Sequence, residues 1–413
     1  MRNWAGNVDL GADPPARPRS TDELRRIVAD SARVRAVGSR HSFSGVLSPG
    51  GTAVVLDGLP PVVEIDTAAR TATVSAGLRY ADVAAHLHRA GHALANLPSL
   101  PDLTAAGACA TGTHGSGDGR RGLAAAVSGL QLVSAQGESV ELRRETDPDV
   151  FAGAVVSLGA LGIVTRMTLE IEPSFEVAQS LRTAVPVAEV QDRFDDVFAA
   201  AYSVSMFTMW AGDAVVWLKR RTDQPAAEPD FGVPAPGPLH PVPGADPASC
   251  TPQLGEPGPW HERLPHFRAG ATGPAGDELQ SEYFLPRAAA PAAFAALRGL
   301  GGMLGPVLQV GEVRTVHHDD LWLSPAYEQD SVTFHFTWIR DTSRVLPVIA
   351  AVEERLAPLG ARPHWAKLTA MTGPEIRSRY RRAADFQELR AEFDPGGKFS
   401  NALLDDVFPA GAR

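Results

Sequence analysis

Cysteine is almost missing from this chain: Cys109 and Cys250 are the two in 413 residues. They lie far apart and outside any C-x-x-C pair, which argues against a disulfide framework and against a zinc site, and no metal is expected. Two free thiols suit a reducing cytoplasm. Long apolar runs are missing too, so no segment is expected to span a bilayer. The stretch Met1-Arg2-Asn3-Trp4-Ala5-Gly6 lacks the apolar core of a secretory signal. Positive charge is in deficit: 38 Lys and Arg stand against 48 Asp and Glu, a net charge of −10. The densest basic cluster is Arg377, Arg379, Arg381 and Arg382 around Tyr380, with Arg25-Arg26 a smaller one; both read as solvated surface. An acidic chain without a strong basic stripe argues against nucleic acid as a partner. The expectation is a soluble cytoplasmic protein with neither a nucleic-acid nor a membrane partner.

What remains is ordinary for a globular protein, 44% hydrophobic and 21% charged, and long enough for two or three domains. Ser20-Thr21-Asp22-Glu23 opens a helix with a hydroxyl cap and early acids. Strands are expected at 33–37, 53–56, 72–75, 130–133 and 164–171, and an amphipathic helix at 81–89 with Gly91 near its end. Strands and helices mix throughout, so the fold class is α+β or α/β. The character changes near Glu172-Pro173. A second region runs to about Phe393 and holds eleven prolines between Pro225 and Pro259, too many for regular structure. That stretch is either disordered or a long ordered loop over a site.

The first strand runs into Val37-Gly38-Ser39-Arg40-His41-Ser42-Phe43. Successive N–H groups in such a turn form an anion-binding concavity, suited to a diphosphate, and one imidazole stands beside it. Taken alone the stretch also fits a polar turn with a surface histidine. A second loop, Thr111-Gly112-Thr113-His114-Gly115-Ser116-Gly117, follows the small residues Thr104-Ala105-Ala106-Gly107-Ala108, which let backbone approach a large flat ligand. The literal G-x-G-x-x-G at Gly117–Gly122 leaves a glycine loop and not a strand, so a Rossmann site is not expected.

In the second region polar residues recur at strand spacing. Glu312 and Arg314 share one face; Thr333, His335 and Thr337 share another, opposite Phe334, Phe336 and Trp338; Gln280 and Glu282 mark a third strand. Glu312 with Arg314 reads either as a structural ion pair or as pocket lining. Three polar faces suggest a sheet roofing a hydrophilic cavity. Lys367, after His364-Trp365-Ala366, is either a surface lysine or a buried one that meets negative charge.

The two loops, with Ser157-Leu158-Gly159-Ala160-Leu161-Gly162-Ile163-Val164-Thr165, Pro363-His364-Trp365-Ala366-Lys367 and Asp394-Pro395-Gly396-Gly397-Lys398-Phe399-Ser400-Asn401, resemble the FAD-binding domain of vanillyl-alcohol-oxidase-type flavoproteins. Within that family the chain looks most like the bacterial alditol oxidases, through Tyr202-Ser203-Val204-Ser205, Val216–Asp223 and Pro257–Ala269, and the likeness covers nearly its whole length. The resemblance implies an α+β two-domain flavoprotein: residues 1–172, completed by 394–413, bind FAD, and 173–393 supply an antiparallel sheet over the flavin. It implies oxidation of a terminal hydroxyl of a polyol such as xylitol or sorbitol, with dioxygen reduced to hydrogen peroxide. By the same resemblance His41 carries FAD covalently. Ala36, Val37, Gly38, Ser39, Arg40, Ser42, Ser99, Thr104, Gly107, Thr111, Gly112, Thr113, His114 and Ile163 touch the cofactor, as does Lys367. Ser99, Gln280, Glu312, Arg314, His335, Thr337 and Lys367 line the substrate site, with Arg314, Lys367, Glu312 and His335 catalytic. Pro98 stands where the resemblance leads us to expect alanine, near the flavin's reactive edge, and bears on the reaction with oxygen. The alternatives are an aldonolactone oxidase or dehydrogenase and, from another class, a flavin-binding protein without turnover.

Overall fold

The computed structural model describes residues 1–11, 13–225, 227–271 and 276–409. Ala226 of the proline-rich stretch and residues 410–413 of the expected FAD-binding tail lie outside the described residues. Two sheets organise the chain. The first is antiparallel and five-stranded, in the order Val63–Asp66, Thr71–Ser75, Ile163–Glu170, Val127–Val133, Ser139–Arg143. Its inward residues, among them Val74, Leu130 and Met167, are buried with Phe151 and Leu161. The helix Thr21–Asp30 starts where its cap residue says it should, with Ser20 accepting from Glu23 N at 3.2 Å. Val34–Ala36 pairs in parallel with Thr52–Val54 and delivers the chain into the 37–43 loop.

The second sheet crosses the other half of the molecule. Its central antiparallel strands run Glu176–Pro186, Asp213–Arg221, Ser203–Thr208, Leu308–His317, Ser331–Ile339, Glu278–Pro286. Period-two patterning gives it two unlike faces. Tyr283, Val313, Phe334, Phe336 and Trp338 are buried against the helices Ala290–Arg298 and Thr342–Leu356, with the Phe336 and Trp338 rings stacked at 5.1 Å. The opposite face carries the polar residues. The glycine-rich Gly117–Arg121 is itself a strand, parallel to Leu308–His317, and leads into no dinucleotide-type helix.

Two further segments complete the fold. The tail returns to the first region: Val34 N donates to Lys398 O at 2.9 Å, and Asn401 Nδ2 donates to the carbonyls of Gly45, Val46 and Ser48 at 3.0–3.1 Å. Residues 227–259 of the proline-rich stretch form a loop with little regular structure. Gln253 clamps it by accepting from Leu239 N at 2.7 Å and donating to Leu239 O at 2.8 Å. No helix among the described residues is long and apolar enough to cross a membrane.

Candidate active site

A cavity of about 800 Å³ lies between the two sheets. Its first wall is the pair of glycine loops. Ala36 through Ser42, Ser99, Thr104, Gly107, Thr111, Thr113 and His114 all line it. Arg40 adopts φ 64°, which turns the chain just before His41. A Cβ on Gly38 would collide with Thr104 Oγ1, and one on Gly107 would stand 2.8 Å from the same atom, so both glycines leave room for the Thr104 hydroxyl where it now stands. Gly112 and Ile163 do not reach the cavity: Gly112 is packed on Pro325, and Ile163 sits in a small core with Leu24, Val28 and Val133. His41 stacks near Trp4 at 4.9 Å between ring centres. Burial, and then the Lys367 ammonium, push its imidazole down to about 4, which leaves a neutral ring with a free nitrogen lone pair at ordinary pH.

The second wall is the polar face of the large sheet. Register places Glu312 opposite His335 and His335 opposite Glu282, a carboxylate, imidazole and carboxylate across three strands. One pair of residues along, Arg314 faces Thr333; in the other direction Gln280 faces Thr337. Arg314 bridges the two acids, donating to Glu282 at 2.7 Å and standing 3.4 Å from Glu312, and it reaches Ser99 Oγ on the opposite wall at 3.3 Å. Burial raises the pKa of both carboxyls, but Arg314 and the neighbouring histidines outweigh it, so both are held well below the usual range as carboxylates. Burial takes His335 down to about 3, and its buried Nδ1 has no hydrogen-bond partner among the described residues.

Lys367 closes the site. Its segment runs beside Glu278–Pro286, with His364 N donating to Glu282 O at 2.9 Å and Leu368 N to Gln280 O at 2.8 Å. The other edge is tied to the 37–43 loop through Phe43 N to Ala366 O, 2.6 Å. Lys367 Nζ hydrogen-bonds Gln280 Oε1 and lies 5.1 Å from the Phe43 ring. Burial lowers its pKa, and Glu282 opposes that shift.

Three residues outside the expected site set join this network. Glu282, on the polar face of the third strand, is the tightest partner of Arg314. His266 donates from Nε2 to Glu312 at 2.8 Å, and Lys219 hydrogen-bonds His266 Nδ1 at 2.9 Å. His114, expected at the cofactor, also bonds Glu282 through Nε2 at 3.0 Å. Its Nδ1 faces Gly115 O at 2.8 Å, and burial and Arg314 keep the ring's pKa low. One signal for Lys219 was available: the chain has three lysines, and this one ends the apolar run Val215-Val216-Trp217-Leu218. Of the proline-rich loop, His240, Pro241, Val242 and Ser249 line the cavity. Away from it, His317, His318 and Asp330 form an exposed His–Asp cluster at a strand end.

Residues 14–143 match the FAD binding domain family, and 278–407 match the D-arabinono-1,4-lactone oxidase family. The alditol oxidase of Streptomyces sp. (strain IKD472 / FERM P-14339) is 48% identical over 98% of both chains. The chain belongs to the alditol oxidase family of vanillyl-alcohol-oxidase-type flavoproteins. More distant relatives of alditol oxidases also align end to end. Bovine L-gulonolactone oxidase is 26% identical over 99% of this chain and 98% of its own, and L-gulono-1,4-lactone dehydrogenase of Mycobacterium tuberculosis 28% over 97% and 96%. Cholesterol oxidase from B. sterolicum shares the fold, with a TM-score of 0.80 at 14% identity over 99% of this chain and 96% of that one. This enzyme of the alditol oxidase family is therefore an FAD-dependent α+β oxidoreductase.

Proposed function

We propose that the enzyme oxidises the terminal hydroxyl of an alditol such as xylitol or sorbitol to the aldose, with dioxygen reduced to hydrogen peroxide. The carrying observation is the sheet face on which Glu282, His335 and Glu312 stand in one row under Arg314, in a family member 48% identical to an alditol oxidase. We take 1–172, completed from 394 onward, as the FAD-binding part and 173–393 as the substrate part. The two thiols are free and buried, which suits the cytoplasm.

The two glycine loops fit FAD: both line the cavity, and at Gly38 the first loop comes so close to Thr104 that a Cβ there would have to displace the threonine hydroxyl. His41, neutral and lining the same cavity, is the residue to which we assign the covalent bond. FAD held by these loops would supply the hydride acceptor and the route for electrons to dioxygen. The chain's own groups handle position and proton. Arg314 and Ser99 hold the reacting hydroxyl between the walls, and the guanidinium favours its deprotonation. His335 is the group to which we assign that proton; the carboxylates on either side support the imidazolium against the burial and the Lys367 and Arg314 charges that hold its pKa at about 3. Gln280, Thr337 and Glu312 offer donors and acceptors to the remaining hydroxyls. Lys367 adds positive charge where negative charge develops on the flavin side.

A site built to pair hydroxyls rejects analogues that lack them. Efficiency is expected to fall from xylitol or sorbitol to glycerol to simple alcohols. The match of 278–407 to a lactone oxidase family favours one rival, aldonolactone oxidation. Better turnover of an aldonolactone than of any polyol would establish it. For the tether, acid-precipitated wild-type protein should retain a fluorescent flavin on a denaturing gel and His41→Ala should not. Full release of FAD from the wild type would refute the assignment.

A further inference from the structure

Lys219 is 1% exposed and, among the described residues, forms no ion pair. A buried ammonium without a carboxylate partner is costly, so what it does touch matters. Nζ donates to Leu264 O and to His266 Nδ1. An ammonium has donors and no acceptor, so His266 Nδ1 must offer its lone pair. The neutral ring then carries its one hydrogen on Nε2. That N–H points at Glu312 Oε1, 2.8 Å away. Phe207 and Trp217 pack edge-on against the imidazole at 5.5 and 5.3 Å, and His266 N is tied to Ser99 O at 3.1 Å, so the ring cannot turn away. Glu312 Oε2 takes no hydrogen bond from the described residues, and Glu312 lines the cavity.

We propose that Lys219 and His266 are positioning residues for the polyol: the ammonium locks the imidazole in its Nε2–H tautomer, and that N–H pins one oxygen of Glu312 so that the other is presented as an acceptor to a substrate hydroxyl. The assignment rests on the polyol reading above. It goes beyond it by placing control of hydroxyl recognition in His266, at the cavity wall, and in Lys219 behind it.

The lock has a pH limit. Burial, reinforced by Lys219, takes His266 down to about 4, so the ring stays neutral. Burial takes Lys219 down to about 7, with Glu312 opposing and Arg314 adding to the shift. Cys250, the remaining titratable neighbour, is pushed up to about 11 by burial and stays a thiol. Above pH 7 Lys219 becomes an amine that can accept from Nδ1–H. The other tautomer then turns a lone pair toward the Glu312 carboxylate, and the lock is lost as pH rises.

The test is steady-state and anaerobic kinetics of Lys219→Met, His266→Phe and His266→Gln with xylitol. A glutamine amide can accept from Lys219 and donate to Glu312, whereas phenylalanine does neither. Lys219→Met and His266→Phe are expected to raise KM about tenfold or more, the loss of a hydrogen bond to a charged group, with flavin reduction at saturating xylitol little changed. His266→Gln should stay within about threefold of the wild type. Wild-type KM should climb above pH 7, while that of Lys219→Met stays flat. Equal KM values for the Phe and Gln variants, or an unaltered pH profile in Lys219→Met, would overturn the lock. If the wild type oxidises no polyol, the substrate reading fails by itself, and ¹⁵N shifts of His266, assigned by difference from His266→Gln, still decide the tautomer. A protonated Nδ1 at pH 6 would overturn the lock whatever the substrate.

Discussion

At the scale of single residues the site is a problem of charge. Arg314 stands between two buried carboxylates, so its removal leaves both without their cation, whereas Lys367 has the neutral Gln280 as its hydrogen-bond partner. Loss of one preorganised donor typically costs about 10²–10³ in rate. Arg314→Ala and Lys367→Ala are each expected to slow anaerobic flavin reduction by that factor in stopped-flow. They should differ in stability: breaking the buried ion pairs of Arg314 costs about 3–5 kcal/mol, so its alanine variant should also melt several degrees lower. Reduction at wild-type speed in both would remove them from the mechanism. Strand spacing and an apolar setting singled these two residues out but left each with a structural alternative, and the resemblance placed them in the site. Glu282 lay on the same polar face, but the resemblance assigned Gln280 beside it and passed over the acid that Arg314 grips. His266 and Lys219 carried no periodic signal. They are brought to Glu312 by a loop and by a neighbouring strand, contacts that one segment's pattern does not contain.

At the scale of elements the sequence was most readable where a period is visible. The alternation in Val332–Trp338 predicted one aromatic and one polar face, and the sheet has both. The cap at Ser20 marked where the helix Thr21–Asp30 starts, and the expected helix at 81–89 with Gly91 near its end matches Tyr80–Arg89 to within a residue. The proline-rich stretch was open between disorder and a lid, because composition reports only that regular structure is unlikely; the Gln253 clamp that orders it is a tertiary contact. The least readable element is the loop behind Lys367. Glu353, on the helix Thr342–Leu356, accepts from Thr369 Oγ1 at 2.6 Å, from Ala370 N at 3.1 Å and from Tyr283 Oη at 2.9 Å. It therefore ties the lysine's loop to the sheet's hidden face. Glu353→Ala strands at least one buried donor, at a cost of about 1–3 kcal/mol. Differential scanning fluorimetry should show a lower melting point, and flavin reduction should slow because Lys367 loses its support. Glu353→Gln, which keeps an acceptor, should recover most of both. A melting point unmoved by the alanine change would mean that the loop holds itself.

At the scale of the whole molecule the two walls meet at the 95–102 loop. Tyr202 Oη donates to Ala95 O at 2.7 Å, His266 N and Phe267 N donate to Ser99 O at 3.1 and 3.2 Å, and Gly270 N donates to Asp102 at 3.0 Å. Each contact joins the flavin side to the substrate side, so this loop has little freedom to yield. Pro98 lines the cavity in the middle of it, beside Ser99, and Pro101 follows three residues on. Proline fixes φ, and its ring cannot rotate aside as a flexible side chain does. By the resemblance this position lies near the flavin's reactive edge, so we propose that the Pro98 ring narrows the path by which dioxygen reaches the reduced flavin; the alternative is that it only stiffens the loop. Pro98→Ala replaces the ring by a methyl while the staples on either side hold the backbone. Reoxidation of pre-reduced enzyme mixed with oxygenated buffer is expected to speed up, and anaerobic reduction by xylitol to stay close to the wild type, because Ser99 and Arg314 keep their places. An unchanged reoxidation rate would discard the gate and leave the oxidase reading intact. A change in the reduction rate alone would show that the loop acts on substrate placement through Ser99.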